Sequence, residues 1–230
     1  MIRWVCENAQ QAGAREVIVA TDDERICDEV NRFGGVAMMT SNQHRSGTDR
    51  IAEVCKHRGW PDDALIVNLQ GDEPGIPAAL IARVAAALEQ NPLAGIATLA
   101  VPIDQPSDLF NPNVVKLTCD ANGMALYFSR APIPFVRDRF TLTGPVPESL
   151  PPDIPFLRHL GLYAYRAGAL RRISSHPAAP IEIAESLEQL RAMAMGIRIH
   201  VSILAQAPGH GVDTEEDLQR VEQLLGATKH

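Results

Sequence analysis

Apolar positions along this chain alternate between two rhythms, one suited to helices and one to strands. From Met1 to Gly13, Ile2, Val5, Cys6 and Ala9 recur near one face of an amphipathic helix, with no N-cap residue before it. Val17, Ile18 and Val19 within Ala14–Ala20 form a short branched run that reads as a strand buried on both faces. Thr21-Asp22-Asp23-Glu24 has the form of a capping box, and Ile26, Val30 and Phe33 follow at helical spacing. Val36 to Thr40 reads as a strand and Ile51, Val54 and Cys55 as a helix face. Ala64–Val67 is a second buried-type strand. The alternation of helix and strand up to Thr40 predicts right-handed parallel crossovers, and a helix from Pro77 to Leu88 and a strand from Ile96 to Val101 follow further on.

Beyond Val101 the pattern changes. Asp104 to Pro112 is polar and proline-containing, a natural passage into a second lobe. Val114–Leu117 and Ala125–Phe128 flank Asn122-Gly123, a hairpin signal. Ala131 to Phe156 carries seven prolines and no period, which suggests a lid, a mobile loop or a partner contact. Leu157 to Arg166 alternates, with Leu160, Leu162 and Ala164 on one side and His159, Gly161, Tyr163 and Tyr165 on the other. Ile183 to Met195 reads as one helix with Ile183, Leu187 and Leu190 inward. Glu185, Glu188 and Gln189 would then share another face. A strand over Ile197–Leu204 and a helix capped by Thr214 and Asp217 close the chain. The expected organisation is one domain over residues 1–230. Its parts are 1–103 for a nucleotide, 104–203 for a sugar and dimerisation, and 204–230 for a C-terminal ligand and helix.

Composition narrows the function. The 230 residues are 46% hydrophobic, enough for a core, and no apolar run approaches the ~18 residues of a membrane span. A net charge of −7 without basic blocks argues against a nucleic-acid partner. The four cysteines, Cys6, Cys27, Cys55 and Cys119, are scattered and read as free thiols of a reducing compartment. No signal peptide is visible, so the cytoplasm is the expected location.

Several stretches can carry chemistry, and each has a plainer structural reading. Asn68-Leu69-Gln70-Gly71-Asp72-Glu73-Pro74 follows a strand, where α/β sheets collect ligands. Gly71 permits close backbone approach and Asp72 offers oxygen to a hard cation, or Asp72 simply caps the helix after Pro77. Ser46-Gly47-Thr48-Asp49-Arg50 opens a helix, which can be a cap alone or a seat for a base or phosphate. Arg130 ends a strand as an anion site or an ordinary surface cation. His159 and Tyr163 line a concave sugar-binding surface or a wet aromatic face. Glu185, Glu188 and Gln189 form a binding stripe or a solvated one. Asp213 either joins Asp72 around a metal or favours its helix N-terminus.

Taken in order, the two stretches from Asn68 and Ser46 are joined by Tyr127-Phe128-Ser129-Arg130-Ala131-Pro132-Ile133-Pro134, Arg158-His159-Leu160-Gly161 and Gly211-Val212-Asp213-Thr214. Together they resemble the 3-deoxy-manno-octulosonate cytidylyltransferases, the CMP-KDO synthetases of bacterial lipopolysaccharide assembly, over nearly the whole chain. The resemblance implies a mixed-sheet, Rossmann-like nucleotidyltransferase fold (glycosyltransferase-A-like) with a smaller sugar-binding and dimerisation lobe. It also implies CTP and KDO as substrates, Mg2+ as cofactor and a homodimer. Asp72 and Asp213 would hold the magnesium and serve catalysis. Ser46, Gly47, Thr48 and Gln70 would meet the nucleotide. Gln70, Arg130, His159, Tyr163, Glu185, Glu188 and Gln189 would meet the sugar acid. The neighbouring alternatives are CMP transfer to another acid sugar and a non-catalytic sugar-binding or dimerising remnant.

The relatives so resembled begin with a strand and a basic loop of the type Pro-Ala-Arg-x-x-Ser-x-Arg-Leu-Pro-x-Lys-Pro-Leu, which grips the triphosphate. Nothing here matches it. The expectation is a truncated or mis-assigned start, two strands left short of a ladder partner, and a chain that folds poorly or binds CTP weakly.

Overall fold

The computed structural model describes residues 1–44, 46–141 and 144–206. It opens with α1 (Ile2–Gln11), β1 (Ile18–Thr21), α2 (Glu24–Arg32), β2 (Val36–Met39), α3 (Gly47–Arg58), β3 (Leu65–Asn68), α4 (Ala78–Gln90) and β4 (Ile96–Pro102). Then come α5 (Pro106–Phe110), β5 (Lys116–Cys119), β6 (Ala125–Ser129), β7 (Leu157–Arg166), α6 (Ala167–Ser174), α7 (Pro180–Glu185), α8 (Gln189–Ala194) and β8 (Ile199–Ile203). The expected final helix and Asp213 lie outside the described residues.

The larger sheet is mixed, as the expected fold class requires. β1 and β2 form a parallel pair, and six further strands run β6-β5-β7-β4-β8 with β3 also paired to β7. Only β4–β8 is parallel in the larger sheet; β3, β4 and β5 all run antiparallel to β7. The parallel neighbours that the opening alternation predicts are present in β1 and β2, whereas β3, read as a strand of a parallel sheet, runs antiparallel to β7. β7 is the spine. Its one edge carries β4, while β5 takes Leu157 and Arg158 on the other edge and β3 takes Tyr163 to Arg166. Among the described residues no strand covers that second edge around Gly161.

β4 is flanked by β7 and β8 and is buried from Ile96 to Val101. Ile96 and Ala100 face a core shared with α3, α6 and α8, and Ala97, Leu99 and Val101 face one built on α4. β1 and β3 differ from the expectation of strands buried on both faces. Each has one strand neighbour among the described residues, so Val19 and Ile66 are half-buried and Leu65 is exposed. α3 packs against both strands, and Arg50 ties it to the smaller sheet through the Thr40 hydroxyl at 2.6 Å and Asp22 at 3.2 Å.

Local signals account for most element ends. Asp23, rather than Thr21, caps α2, accepting the Arg25 N–H at 2.9 Å. Ser46 caps α3 by accepting from Asp49 N–H, and Gly59 ends that helix at φ 62. The proline-rich segment does not stand free. Phe140 and Phe156 pack with Ile103 and Leu109 in a satellite core, and Phe110 meets Phe140 edge-on at 5.2 Å. The expected single helix from Ile183 to Met195 is broken. Ser186 has φ 51, which ends α7 and turns the chain before α8. Ile183 consequently lies exposed, while Leu187 and Leu190 are buried.

Candidate active site

The open edge of β7 is the floor of a cavity of about 230 Å³. Its walls come from the start of α3 (Gly47, Thr48), the end of β3 (Asn68, Gln70), β7 (Gly161, Tyr163, Tyr165) and the α7–α8 corner (Ser186 to Gln189). A Cβ on Gly47 would come within 3.2 Å of Gln70 Nε2, so glycine lets that amide lie against the helix start. The Thr48 hydroxyl donates to Glu188 Oε2 at 2.9 Å, joining two walls that are 140 residues apart in the chain. A larger groove of about 920 Å³ adjoins, running from Ser41, His44 and Glu53 to Arg171 and His176 and sharing Glu188 and Arg191 with the first.

Tyr163 and Tyr165 stack along the floor with ring centres 5.7 Å apart. Burial raises both phenols well above their usual range, and nearby Glu188 adds to it. Both hydroxyls therefore stay protonated at neutral pH, that of Tyr165 in hydrogen bond with Thr48. Gln189 is also buried, and its Nε2 has no partner among the described residues. An orphaned donor in a cavity wall suits a ligand acceptor.

Three residues assigned to the sugar by resemblance sit elsewhere. His159 is absent from the lining; its ring lies 5.2 Å from Tyr163 and 5.1 Å from Phe128, and Nε2 turns inward to the Thr98 hydroxyl at 3.0 Å. Burial lowers its pKa to about 3, so the imidazole is neutral. Arg130 spends its guanidinium on the carbonyls of Glu185 at 2.7 Å, Pro112 at 2.9 Å and Ser186 at 3.4 Å. Glu185 accepts from the Ser129 hydroxyl and the Arg130 N–H, so it does not share a face with Glu188 and Gln189. The helix break at Ser186 separates them. Arg130 and Glu185 brace the corner from behind.

Arg191 escaped the sequence reading. It lines both cavities and pairs with Glu182 through two N–H groups, at 2.8 and 2.6 Å. The Arg191 guanidinium holds the Glu182 carboxyl below the usual carboxylate range. Nothing periodic links positions 182 and 191 across a broken helix, so no sequence signal pointed to the pair.

Asp72 stands exposed on the turn after β3, where Gln70 C=O accepts the Glu73 N–H at 3.2 Å. Asn8 of α1 steadies this loop by donating to the carbonyls of Pro74 and Ile76. Among the described residues no three His, Cys, Asp or Glu side chains gather around a cation position. One exposed carboxylate suits a magnesium ion that draws its other ligands from water and substrate phosphate, which is how that ion usually binds.

The sequence matches the cytidylyltransferase family over residues 1–199. The 3-deoxy-manno-octulosonate cytidylyltransferase of Pseudomonas syringae pv. tomato is 50% identical over 227 residues, spanning 99% of this chain and 88% of that protein. The enzyme of that name from Hahella chejuensis is 51% identical over 225 residues, 98% of this chain and 87% of its own. A solved CMP:2-keto-3-deoxy-manno-octonic acid synthetase complexed with CTP superposes with a TM-score of 0.85 at 40% identity, covering 99% of this chain and 88% of the other. A 4-diphosphocytidyl-2C-methyl-D-erythritol synthase shares the fold at a TM-score of 0.57 and 15% identity, covering 96% and 88%. The chain belongs to the cytidylyltransferase family.

Proposed function

We propose that this chain transfers CMP from CTP to 3-deoxy-D-manno-octulosonate, a step of bacterial lipopolysaccharide synthesis, in the cytoplasm and as a homodimer. The observation that carries the reading is the overlap, along nearly the full chain, with a CTP-bound synthetase of CMP-KDO. Relatives at about half identity bear the corresponding enzyme name. No helix among the described residues is long and apolar enough to cross a membrane, in keeping with a substrate pair that is water-soluble.

In the reaction the anomeric hydroxyl oxygen bonds to the α-phosphorus of CTP, the bond to the β-phosphate oxygen breaks, and pyrophosphate and a proton are released. Two anionic substrates must be held together, so positioning and charge neutralisation carry much of the barrier reduction. Ser46, Gly47 and Thr48 offer the α3 start to the nucleotide, with Gln70 bridging toward the sugar. Tyr163 and Gln189 Nε2 supply donors to the sugar acid's hydroxyls and carboxylate, and Glu188 supplies an acceptor. Asp72, with Asp213, would hold magnesium, which when bound neutralises phosphate charge and polarises the phosphoryl oxygens.

Pyrophosphate release with CTP, KDO and magnesium, run beside a panel of other acid sugars, tests the assignment. Turnover that depends on KDO is expected; turnover with another acid sugar alone refutes it. Asp72→Asn should lower kcat by about 10²–10³-fold, as loss of a charge-stabilising group does, without moving the unfolding midpoint. Full activity in that variant removes the metal assignment.

A further inference from the structure

Lys116 is a charged side chain with no exposed surface, and nothing in the proposed chemistry uses it. It lies on β5, facing the loop before that strand and the end of β6. Its Nζ donates to the carbonyls of Asn111 at 2.8 Å and Arg130 at 2.5 Å. Burying an ammonium costs several kcal/mol unless such partners replace its water. An apolar side chain would fill the space without that cost, so the location calls for an explanation in terms of what the charge holds.

What it holds is the first link of a chain ending at the cavity. Lys116 fixes the Arg130 backbone. The Arg130 N–H and the Ser129 hydroxyl take both oxygens of Glu185, and the Arg130 guanidinium takes the carbonyls on either side of the α7 terminus. Between those carbonyls sits Ser186, the one non-glycine residue with positive φ among the described residues. A left-handed serine costs roughly 1–2 kcal/mol and persists only where neighbours over-determine it. The next residues, Leu187, Glu188 and Gln189, are cavity wall.

We propose that Lys116 is a positioning residue for the sugar side of the cavity: through Arg130 and Glu185 it sets the strained Ser186 corner, and with it the places of Glu188 and Gln189. The inference rests on the reading of this cavity as the sugar-acid site. Its geometry is independent of that reading. Glu185 is the counter-charge of the cluster, and burial, aided by the Arg130 charge and opposed by Glu185, lowers the Lys116 pKa to about 8. The ammonium therefore keeps most of its charge at neutral pH.

The test is Lys116→Met beside Lys116→Arg, with separate KM values for CTP and KDO and amide hydrogen exchange over residues 184–190. In Lys116→Met the KM for KDO should rise roughly tenfold, since displacing binding groups by about 1 Å can cost up to 10²-fold. The KM for CTP should stay unchanged, and the corner amides should exchange faster. Lys116→Arg should recover part of both effects. Unchanged exchange at the corner, or equal weakening of both substrates, overturns the proposal. If wild type shows no KDO-dependent turnover, the functional reading fails while the exchange result still decides the role of Lys116. Should Lys116→Met not fold, Glu185→Gln loosens the same corner from its other end; an unaltered KM for KDO there overturns the proposal equally.

Discussion

Replacing Thr98 by valine would remove one hydroxyl from the middle of β4 while keeping the shape of the side chain. Thr98 is wholly buried, and its oxygen lies 3.1 Å from Leu160 O, 2.9 Å from Leu162 O and 3.0 Å from His159 Nε2. These carbonyls flank the point where the β4–β7 register shifts, between Thr98 and Leu99, so the hydroxyl serves backbone groups at a ladder irregularity. With one proton it donates to a carbonyl and must accept from the ring, which fixes His159 as the Nε2–H tautomer. Valine leaves a buried carbonyl and a part-buried ring N–H without partners, each costing about 1–3 kcal/mol, partly offset by the added methyl. The expected net loss is about 2–4 kcal/mol, measured by urea unfolding, or a fall in Tm of roughly 4–16 °C for a chain of this size. Nitrogen-15 shifts of His159 should report loss of the single tautomer, and Thr98→Ser should restore it. A valine variant within about 0.5 kcal/mol of wild type, with the His159 shifts unmoved, would refute the account, because surface-like changes stay in that range.

Two further perturbations follow from buried charge. His159 titrates near 3 in the fold because burial disfavours its charged form, against about 6.5 when unfolded. The unfolded chain then binds more protons between those values. Its contribution is intact above the higher value and is lost as pH falls through the window, at about 1.4 kcal/mol per pH unit. Urea midpoints at pH 6 and 5 should show this slope, and His159→Gln should flatten it; equal slopes would count against a buried neutral imidazole. Glu182→Gln leaves Arg191 charged in a pair whose side chains are only 9% and 14% exposed, so stability should drop by about 3–5 kcal/mol. A loss under 1 kcal/mol by denaturant titration would show that water reaches Arg191.

Much of the fold could be read because periodicity reports burial. The alternation over Leu157–Arg166 placed Leu160, Leu162 and Ala164 on the α4 side and Tyr163 and Tyr165 on the other, which is where their cores lie. The Asn122-Gly123 turn appears with Gly123 at φ 74, and Ser46 caps its helix. What pattern could not show is direction and partnership. Period two is identical for parallel and antiparallel neighbours, so the reversal of β7 against β3 and β4 was invisible. The break at Ser186 was hidden because serine carries no left-handed signal. That single dihedral moved Glu185 behind the cavity wall and left Glu188 and Gln189 in it. The inward turn of His159 depended on a threonine 61 positions away. Asp72 is accounted for only as an exposed strand-end carboxylate, since its expected partner Asp213 lies outside the described residues.

β7 gives one margin to two different neighbours, β3 leading to Gln70 and Asp72 and β5 leading toward the corner that presents Glu188 and Gln189. The strand thus works as a ruler: the separation between the Gln70 wall of the cavity and the Glu188–Gln189 wall is counted out in its residues. Lengthening it by one would either enlarge the irregularity opposite Thr98 and Leu99 or invert every side chain beyond the insertion, sliding one cavity wall past the other.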